Sequence, residues 1–389
     1  MKLLVQHRGK NIPVSNDVFM VAAENDGGGA KMLMESLLQT RDKGLPVCGL
    51  DVVMAVAKSW DSIADRTLEI LLQHQGERLP ISEDVVKVAA EHSRVGYNFF
   101  KVLSRHRQGS LPVSEAAIIG GIGNKRYGYK IVKALLRDRA TAFPISQYIL
   151  KAAAGVSEPD GHKVMRIFFK YLGNSLQISE DVIKVAAENA ENGLEIFRIL
   201  SKFERLGENL HLRKDVVKAL VQRAKWNEHK MLKLICKYPT RRLPVDEEIF
   251  LLAAKNENNG REIMELLIQD QKEDLPVTEN VMIAAAANTG CGDEFISTFF
   301  QYQGDGLQIS ERVLMAAAAN CSYKGHQCLE LFFQNQGQSL SISVDVMTAA
   351  AKNSFAGHGF MKVLFQYRGQ DLPVSEDIVR AAAGNQEDG

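Results

Sequence analysis

A short sequence pattern recurs about every 33 residues from one end of the chain to the other. The pattern is a Val, Ile or Leu that is usually preceded by Leu-Pro and followed by a small polar residue. The apolar residue stands at positions 14, 47, 81, 113, 145, 178, 212, 245, 277, 309, 342 and 374. A fixed period of this length indicates stacked supersecondary units, none of which can bury its apolar face alone.

Each unit has the signals of two helices joined by a loop. In the unit that begins at Pro80, Ser82 is a suitable N-cap, and Glu83 and Asp84 place negative charge at the positive end of a helix dipole. Pro occupies the position equivalent to Pro80 in eight of twelve units. After a loop, a second stretch shows apolar residues at helical spacing, as at Ile263, and we expect the Phe and Met residues of these stretches to form the core.

Conserved spacing also predicts where the helices end. The first helix closes with small residues, mostly Ala, which allow two helix axes to approach closely. Ten residues after the cap, eight units carry an Asn, and we predict a left-handed helix C-cap there, because Asn tolerates that conformation. These residues are at positions 25, 124, 189, 256, 288, 320, 353 and 385. The second helix should end at Gly76, Gly304, Gly337 and Gly369.

These signals predict an all-α fold, an α-solenoid of about eleven helix-loop-helix repeats of ~33 residues. We expect one array over 1–389, with a partial repeat at 1–13, full repeats over 14–373 and a partial repeat at 374–389. Stacked layers of ~8–10 Å would make it on the order of 100 Å long. Both ends would expose a stacking face, which is typical of a segment of a longer array or of a protein that self-associates end to end.

Composition narrows the class of protein. With 46% hydrophobic residues the chain should fold, and no apolar run is long enough for a membrane span. The first nine residues carry charge and give no secretory signal. Five scattered Cys favour free thiols in a reducing compartment, so we expect an intracellular, cytoplasmic protein. Net charge is zero, yet residues 101–242 hold 27 Lys/Arg against 13 Asp/Glu and residues 243–389 hold 9 against 21.

The segments 180–189 and 253–267 resemble tandem helical repeats of large fungal proteins, which often lie behind NACHT-type NTPase domains. The later part of each unit is also similar to ankyrin repeats, with Ala-Ala, Asn, Gly, Glu-Ile and paired Leu. The ankyrin Thr-Pro-Leu-His start is replaced by Pro-Val-Ser-Glu-Asp, which implies a longer first helix and no β-turn finger. The resemblance implies a recognition or sensor array of an immune-receptor-like protein.

Motifs for chemistry are missing from the sequence. There is no phosphate-binding loop, because the stretch at 27–31 has the wrong spacing, and there is no zinc pattern or nucleophile elbow. Carboxylates recur at helix starts, where capping explains them. We therefore expect no enzyme activity, no cofactor and no metal.

Two features are candidates for partner binding. The residue that opens the second helix varies in chemistry between repeats, and interfaces favour the Tyr, Arg and His found there. The second candidate is the basic stretch at 205–242, which includes a Lys-Trp loop. The candidate partner-binding residues are Tyr97, Tyr129, His162, Lys225, Trp226, His229, Arg261, His326 and His358. A semi-exposed helix start and a solvated charge run are the structural alternatives.

The sequence therefore favours a non-enzymatic scaffold for protein–protein interaction. Its protein partner would be acidic if it contacts the basic middle of the chain, because opposite charges steer association. The alternative is a nucleic-acid-binding helical repeat protein that uses the basic segment 101–242, although the acidic final third would repel phosphates.

Overall fold

A computed structural model describes residue 7 and residues 15–24, 48–59, 64–92, 96–106, 111–137, 144–173, 176–202, 213–222, 228–236, 243–271 and 275–385. Within these ranges the regular elements are 22 α-helices and four short 3-10 turns, with no strand. The helices are α1 (Asn16–Ala23), α2 (Leu50–Lys58), α3 (Ala64–Gln75), α4 (Glu83–Glu91), α5 (Gly96–His106), α6 (Glu115–Ile122), α7 (Gly128–Leu136), α8 (Gln147–Ala154), α9 (Gly161–Leu172), α10 (Glu180–Glu188), α11 (Gly193–Leu200), α12 (Lys214–Gln222), α13 (Glu228–Cys236), α14 (Glu247–Ala254), α15 (Gly260–Gln271), α16 (Glu279–Ala287), α17 (Gly292–Gln303), α18 (Glu311–Ala319), α19 (Lys324–Gln336), α20 (Val344–Lys352), α21 (Gly357–Arg368) and α22 (Glu376–Ala383).

The helices form two compact units, residues 1–203 (unit 1, α1–α11) and residues 204–389 (unit 2, α12–α22). From α2 to α21 they alternate between a first and a second helix of each repeat. Within each unit, the first helix of one repeat packs on the first helix of the next, and the second helices pack in the same way. The predicted all-α stack of helix pairs is thereby confirmed, and no described helix has the length and apolarity needed to cross a membrane.

Helix N-termini follow the sequence prediction. The Ser82 side-chain oxygen accepts a hydrogen bond from the Val85 amide at 3.3 Å, which satisfies an N–H that the helix leaves open. Such a cap contributes about 1 kcal/mol. The same bond is made by Ser114, Ser146, Asp246, Thr278, Ser310, Ser343 and Ser375.

The capping hydroxyls also join neighbouring repeats. Thr278 donates to the Glu247 carboxylate at 2.7 Å, and Ser310 donates to the Glu279 carboxylate at 2.6 Å. The acceptor in each case is the first residue of the preceding first helix. The polar N-termini of the first helices are therefore partly used in holding the stack together.

Glycine opens most second helices because the two helices of a repeat meet there. A Cβ atom on Gly325 would lie 2.4 Å from the Ala317 carbonyl oxygen, and one on Gly357 would lie 2.4 Å from the Ala350 carbonyl oxygen. Real Cβ atoms do not approach an oxygen so closely. A Gly at this position thus permits the close packing that the Ala-rich first helices also serve.

The recurring Asn ends the first helix as predicted, but its conformation and its contacts differ from the prediction. Asn320 is the C-cap residue of α18, and its φ of −65° and ψ of 114° are extended, so the left-handed conformation is wrong. Its side-chain Nδ2 donates to the carbonyls of Ala286 at 2.9 Å and Asn288 at 3.1 Å in the preceding repeat, and its Oδ1 accepts from the Ser322 amide at 2.9 Å. Equivalent pairs of bonds to the preceding repeat are made by Asn124, Asn189, Asn288, Asn353 and Asn385.

The second helices end as predicted, at glycine. Gly337 has φ 57° and ψ −134°, a combination that only glycine adopts without strain. At the C-terminal ends of their second helices, Gln303 donates to the Leu275 carbonyl at 2.9 Å and Gln271 donates to the Leu243 carbonyl at 2.9 Å. These repeats therefore have polar ties at both ends of their helix pairs.

The apolar residues of both helices lie between these polar ties. Phe295, Phe299 and Phe332 are fully buried, as expected for the helical stripes. Phe365 is an exception, since 51% of its surface is exposed, whereas the equivalent Phe333 is 3% exposed. The difference follows from packing, because Phe333 is covered by α21 and stacks on Tyr367 of that helix.

Candidate binding face

Positions on the second helices can be compared by counting from the glycine that opens each one. We call the residue after this glycine and the residue before the next repeat's glycine a junction pair. We call the second, fifth and ninth residues after the glycine the open columns. Junction pairs lie where consecutive second helices begin, and open columns follow one side of each helix at helical spacing.

Most of the predicted partner-binding residues are members of junction pairs. Arg261 and His358 are exposed, while the other described members are half-buried. These half-buried residues are Tyr97, Tyr129, His162, His229 and His326. Lys225 and Trp226 lie outside the described residues. Binding by this set stays a prediction, but half-burial means that several of its members also contact the neighbouring repeat.

Junction pairs differ in chemistry from repeat to repeat. Tyr97 stacks on Tyr127 with ring centroids 5.6 Å apart. In another pair His162 contacts Asn192, with 3.0 Å between Nδ1 and Oδ1. The second member of each pair was not predicted, although it lies about 30 residues after the first and directly before a recurring glycine.

In unit 2 the equivalent junction pair is ionic. The Lys324 ammonium lies 2.9 Å and 3.1 Å from the two Asp293 carboxylate oxygens, and both side chains are mostly buried, at 13% and 18% exposure. Burial by itself lowers the pKa of Lys324, but the hydrogen bond and charge of Asp293 outweigh it, so that the pKa is raised. Lys324 therefore remains charged at neutral pH.

Lysines cover the tyrosine rings of unit 1. The Lys130 ammonium lies 5.1 Å from the Tyr97 ring centroid, and Lys133 and Lys163 lie 6.0 Å and 5.8 Å from that of Tyr129. A cation above an aromatic face is held there by the ring quadrupole. These contacts restrict where the three ammonium groups can point.

The open columns of unit 1 are basic. On α5, α7, α9 and α11 and the residues just after them, these columns carry ten cations. Nine of the cations are exposed and Lys163 is half-buried. Glu195 is the one acidic residue within these four helices. The cations are Lys101, Arg105, Lys130, Lys133, Arg137, Lys163, Arg166, Lys170, Arg198 and Lys202, and we call them the basic ladder.

Along α15, α17 and α19, the open columns of unit 2 are acidic or neutral. A groove follows α15, α17 and α19 and is lined by Glu265, Glu294 and Glu330 together with Gln and Ser side chains. Arg261 lies at its edge and pairs with Glu265 at 3.0 Å and with Glu294 at 3.3 Å. The helices α5, α7, α9 and α11 of unit 1 and α15, α17 and α19 of unit 2 therefore present opposite charge on equivalent faces.

Cations of the stretch 205–242 are partly neutralised by the following repeat. Lys214 forms ion pairs with Asp246 and, at 3.1 Å, with Glu248, which also pairs with Lys218. These carboxylates raise the pKa of Lys214 through its hydrogen bond to Asp246 first and then to Glu248. The described part of this stretch thus contains less unbalanced charge than the basic ladder.

The described residues provide little for covalent chemistry. They contain no group of three or more His, Cys, Asp or Glu residues that could hold a metal ion. Burial raises the pKa of Cys236 to about 12 and that of Cys291 to about 11, and it also raises that of Cys328. Thiols with such values are protonated at neutral pH and are poor nucleophiles.

Comparison with known proteins bears on the repeat. A family model described as "Domain of unknown function (DUF7104)" matches residues 3–32, 70–98, 169–196, 245–264, 266–295, 299–325 and 363–389. The matches cover just under half of the chain, and four of the seven begin inside a second helix and end near the start of the next one. No curated protein matches the sequence.

A solved structure, "Crystal structure of the pentatricopeptide repeat protein PPR10 in complex with an 18-nt psaJ RNA element", aligns with 98% of this chain at 12% identity and a TM-score of 0.40. The alignment spans 60% of the length of that chain. A likeness at this level carries no information about ligands. The repeated family matches, read with the helix pairs, show that the chain is built of tandem helical repeats.

Proposed function

We propose that this chain is a non-enzymatic helical repeat scaffold that binds protein partners through the open columns of its second helices. One observation carries the proposal: the Asn, Gly and Ala positions that pack repeats together are uniform, while the open columns change from basic on α5 to α11 to acidic or neutral on α15, α17 and α19. Packing demands the former, whereas the second helices pack side by side with either charge in their open columns. Such variation at exposed positions is expected where recognition takes place.

The first helices are less suited to recognition because much of their polar surface is engaged. Their N-terminal hydroxyls and carboxylates cap the helices and bond to adjacent repeats, as Ser310 does with Glu279. Removing such bonds to contact a partner would cost the stability that they provide. The open columns carry no equivalent obligation.

The type of larger protein and its cellular location are proposed from the resemblance and from the cysteines. Resemblance of the repeats to those of large fungal proteins favours a recognition role in an immune-receptor-like protein. Five free cysteines, of which three are buried, support an intracellular, reducing location. The raised thiol pKa values support the absence of thiol-based catalysis.

Site-specific photo-crosslinking tests the proposal. A crosslinking amino acid is placed on second helices at Ser104 or Gln301 and, as matched controls, on first helices at Lys87 or Arg312; all four residues are exposed. In extracts treated with nuclease, we expect discrete protein adducts from the second-helix positions and far fewer from the controls.

Two results would contradict the proposal. Equal adducts from first and second helices would show that the open columns are not the binding face. Adducts to RNA or DNA in extracts without nuclease, with no protein adduct at Ser104 or Gln301, would favour the nucleic-acid alternative.

A further inference from the structure

We propose that the basic ladder of unit 1 binds an extended acidic segment of a partner protein, an inference that rests on the scaffold function proposed above. The ladder is carried by four consecutive second helices, α5, α7, α9 and α11, that pack side by side. Its charge is concentrated on one side of these helices rather than scattered around them.

The spacing of the ladder fits an extended chain. Packed helix axes are ~8–10 Å apart, so three steps from α5 to α11 cover about 30 Å. A peptide in the extended polyproline II conformation advances ~3.1 Å per residue with three residues per turn, so every third side chain lies on the same side and would arrive over a new helix. A segment of about ten residues with a carboxylate at every third position would therefore meet each of the four helices once.

Most of the ladder charge is available to a partner. Among the described residues, Lys163 pairs with Asp160 at 2.6 Å and Arg198 pairs with Glu195, while the other eight cations have no ion pair. The Lys163 bond holds the pKa of Asp160 below its usual value. Eight like charges on adjacent helices repel one another, and a carboxylate segment would relieve that repulsion.

The tyrosines decide between an acidic peptide and a single-stranded nucleic acid. Nucleic-acid binding of that kind combines cations with aromatic faces on which bases stack. Here Tyr97 stacks on Tyr127, Lys130 covers both rings, and Lys133 and Lys163 cover Tyr129. The rings are half-buried and already occupied, so the surface offers charge without stacking platforms.

The same ring contacts prepare the surface for carboxylates. A free lysine side chain loses conformational entropy when it forms an ion pair, and this loss weakens exposed pairs. Lys130, Lys133 and Lys163 are already restrained above tyrosine rings. Less entropy remains to be lost when a partner binds, which is the usual gain from preorganisation.

The test uses the full chain and fluorescently labelled peptides of about 12 residues, long enough to cross four helices. One peptide has Glu at every third position and Gln elsewhere, a second has the same Glu residues in one block, and a third contains Gln only. A matched oligothymidylate serves as the nucleic-acid probe. We expect the spaced peptide to bind, with affinity falling as salt rises, and the block and Gln peptides to bind more weakly.

Charge reversal then locates the site. Lys101→Glu with Arg166→Glu changes two exposed cations that have no ring contact, and we expect binding of the spaced peptide to weaken at least about tenfold. The matched control, Lys58→Glu with Lys87→Glu, makes the same charge change on the exposed sides of first helices α2 and α4. Circular dichroism establishes that both variants fold.

The outcomes separate this inference from the scaffold function. Tighter binding of oligothymidylate than of the spaced peptide, or equal weakening by the control pair, overturns the acidic-segment proposal. If protein adducts still form at Ser104 while no acidic peptide binds, the scaffold function stands and only the proposed partner chemistry is wrong.

Discussion

The same junction position is filled by two stacked tyrosines in unit 1 and by an ion pair in unit 2. Tyr97 and Tyr127 occupy the places in their repeats that Asp293 and Lys324 occupy in theirs. Consecutive second helices therefore need a contact at their N-terminal ends, but that contact has no required chemistry. The polar ties made by Asn leave no such choice, because each must satisfy specific backbone groups of the preceding repeat.

The open columns extend this comparison to the surface. In unit 1 they form the basic ladder, and along α15, α17 and α19 of unit 2 they line a groove with Glu265, Glu294 and Glu330. A packed position is limited by its neighbours and a junction position by its partner, whereas most open positions are exposed. We infer that the two units share one scaffold and differ in what they recognise.

The largest effect should come from the shared scaffold and should be the same in both units. Asn124→Ala and Asn320→Ala each remove two bonds to buried carbonyls of the preceding repeat and also leave backbone N–H groups without their side-chain acceptor. We expect each to cost about 3 kcal/mol or more, because buried polar groups are left unsatisfied. Thermal unfolding followed by circular dichroism measures the loss.

Asn335→Ala is the control, since Asn335 is exposed on α19 and bonds only within its own helix, to the Leu331 carbonyl. Its midpoint should change by less than that of either buried Asn. A large loss for Asn320→Ala with almost none for Asn124→Ala would break the comparison, because the two units would then not share this tie.

The helix pairs, their caps and the glycine turns could be predicted from sequence because each depends on a short local pattern that recurs along the chain. The cap at Ser82 and the turn at Gly337 each depend only on residues a few positions away. The role of Asn320 could not be predicted in this way, because its partners lie 32 and 34 residues earlier. A local rule favoured a left-handed cap, and contacts between repeats overrode it.

The candidate site was predicted only in part for the same reason. The variable column that contains Tyr97 and Tyr129 was visible in the sequence, but its contacts with the next repeat depend on how second helices stack. The basic ladder is spread over about 100 residues of sequence and becomes one surface only when α5 to α11 lie side by side. A net charge summed over 101–242 could not separate these cations from Lys214 and Lys218, which are paired.

A smaller effect distinguishes the two junction pairs. Double-mutant cycles with Asp293→Asn and Lys324→Met, and with Tyr97→Leu and Tyr127→Leu, should give coupling energies of about 1–2 kcal/mol and about 1 kcal/mol respectively. The ionic coupling should also be lost at high pH. Since the folded pKa of Lys324 is raised above the usual lysine value of 10.5, its contribution is complete below that value and disappears as pH rises through the folded pKa.

Measuring both cycles at neutral pH and again above pH 10.5 provides the comparison. A coupling between Asp293 and Lys324 that does not depend on pH would mean that the pair acts through packing, as the tyrosines do. The distinction between the two junctions would then be one of shape and not of charge.

The smallest effect concerns the open columns, where the two units should respond with opposite signs. Lys101→Gln with Arg166→Gln removes two like charges from the basic ladder of unit 1. At low salt it should raise the free energy of unfolding by a few tenths of a kcal/mol. Glu294→Gln in unit 2 removes a carboxylate that lies 3.3 Å from Arg261 and should lower stability by a similar amount. Both changes should shrink in ~1 M salt, where the Debye length falls to about 3 Å. If neutralising the ladder instead destabilises unit 1 at every salt concentration, its cations stabilise the fold, and the open columns are not free to specialise for a partner.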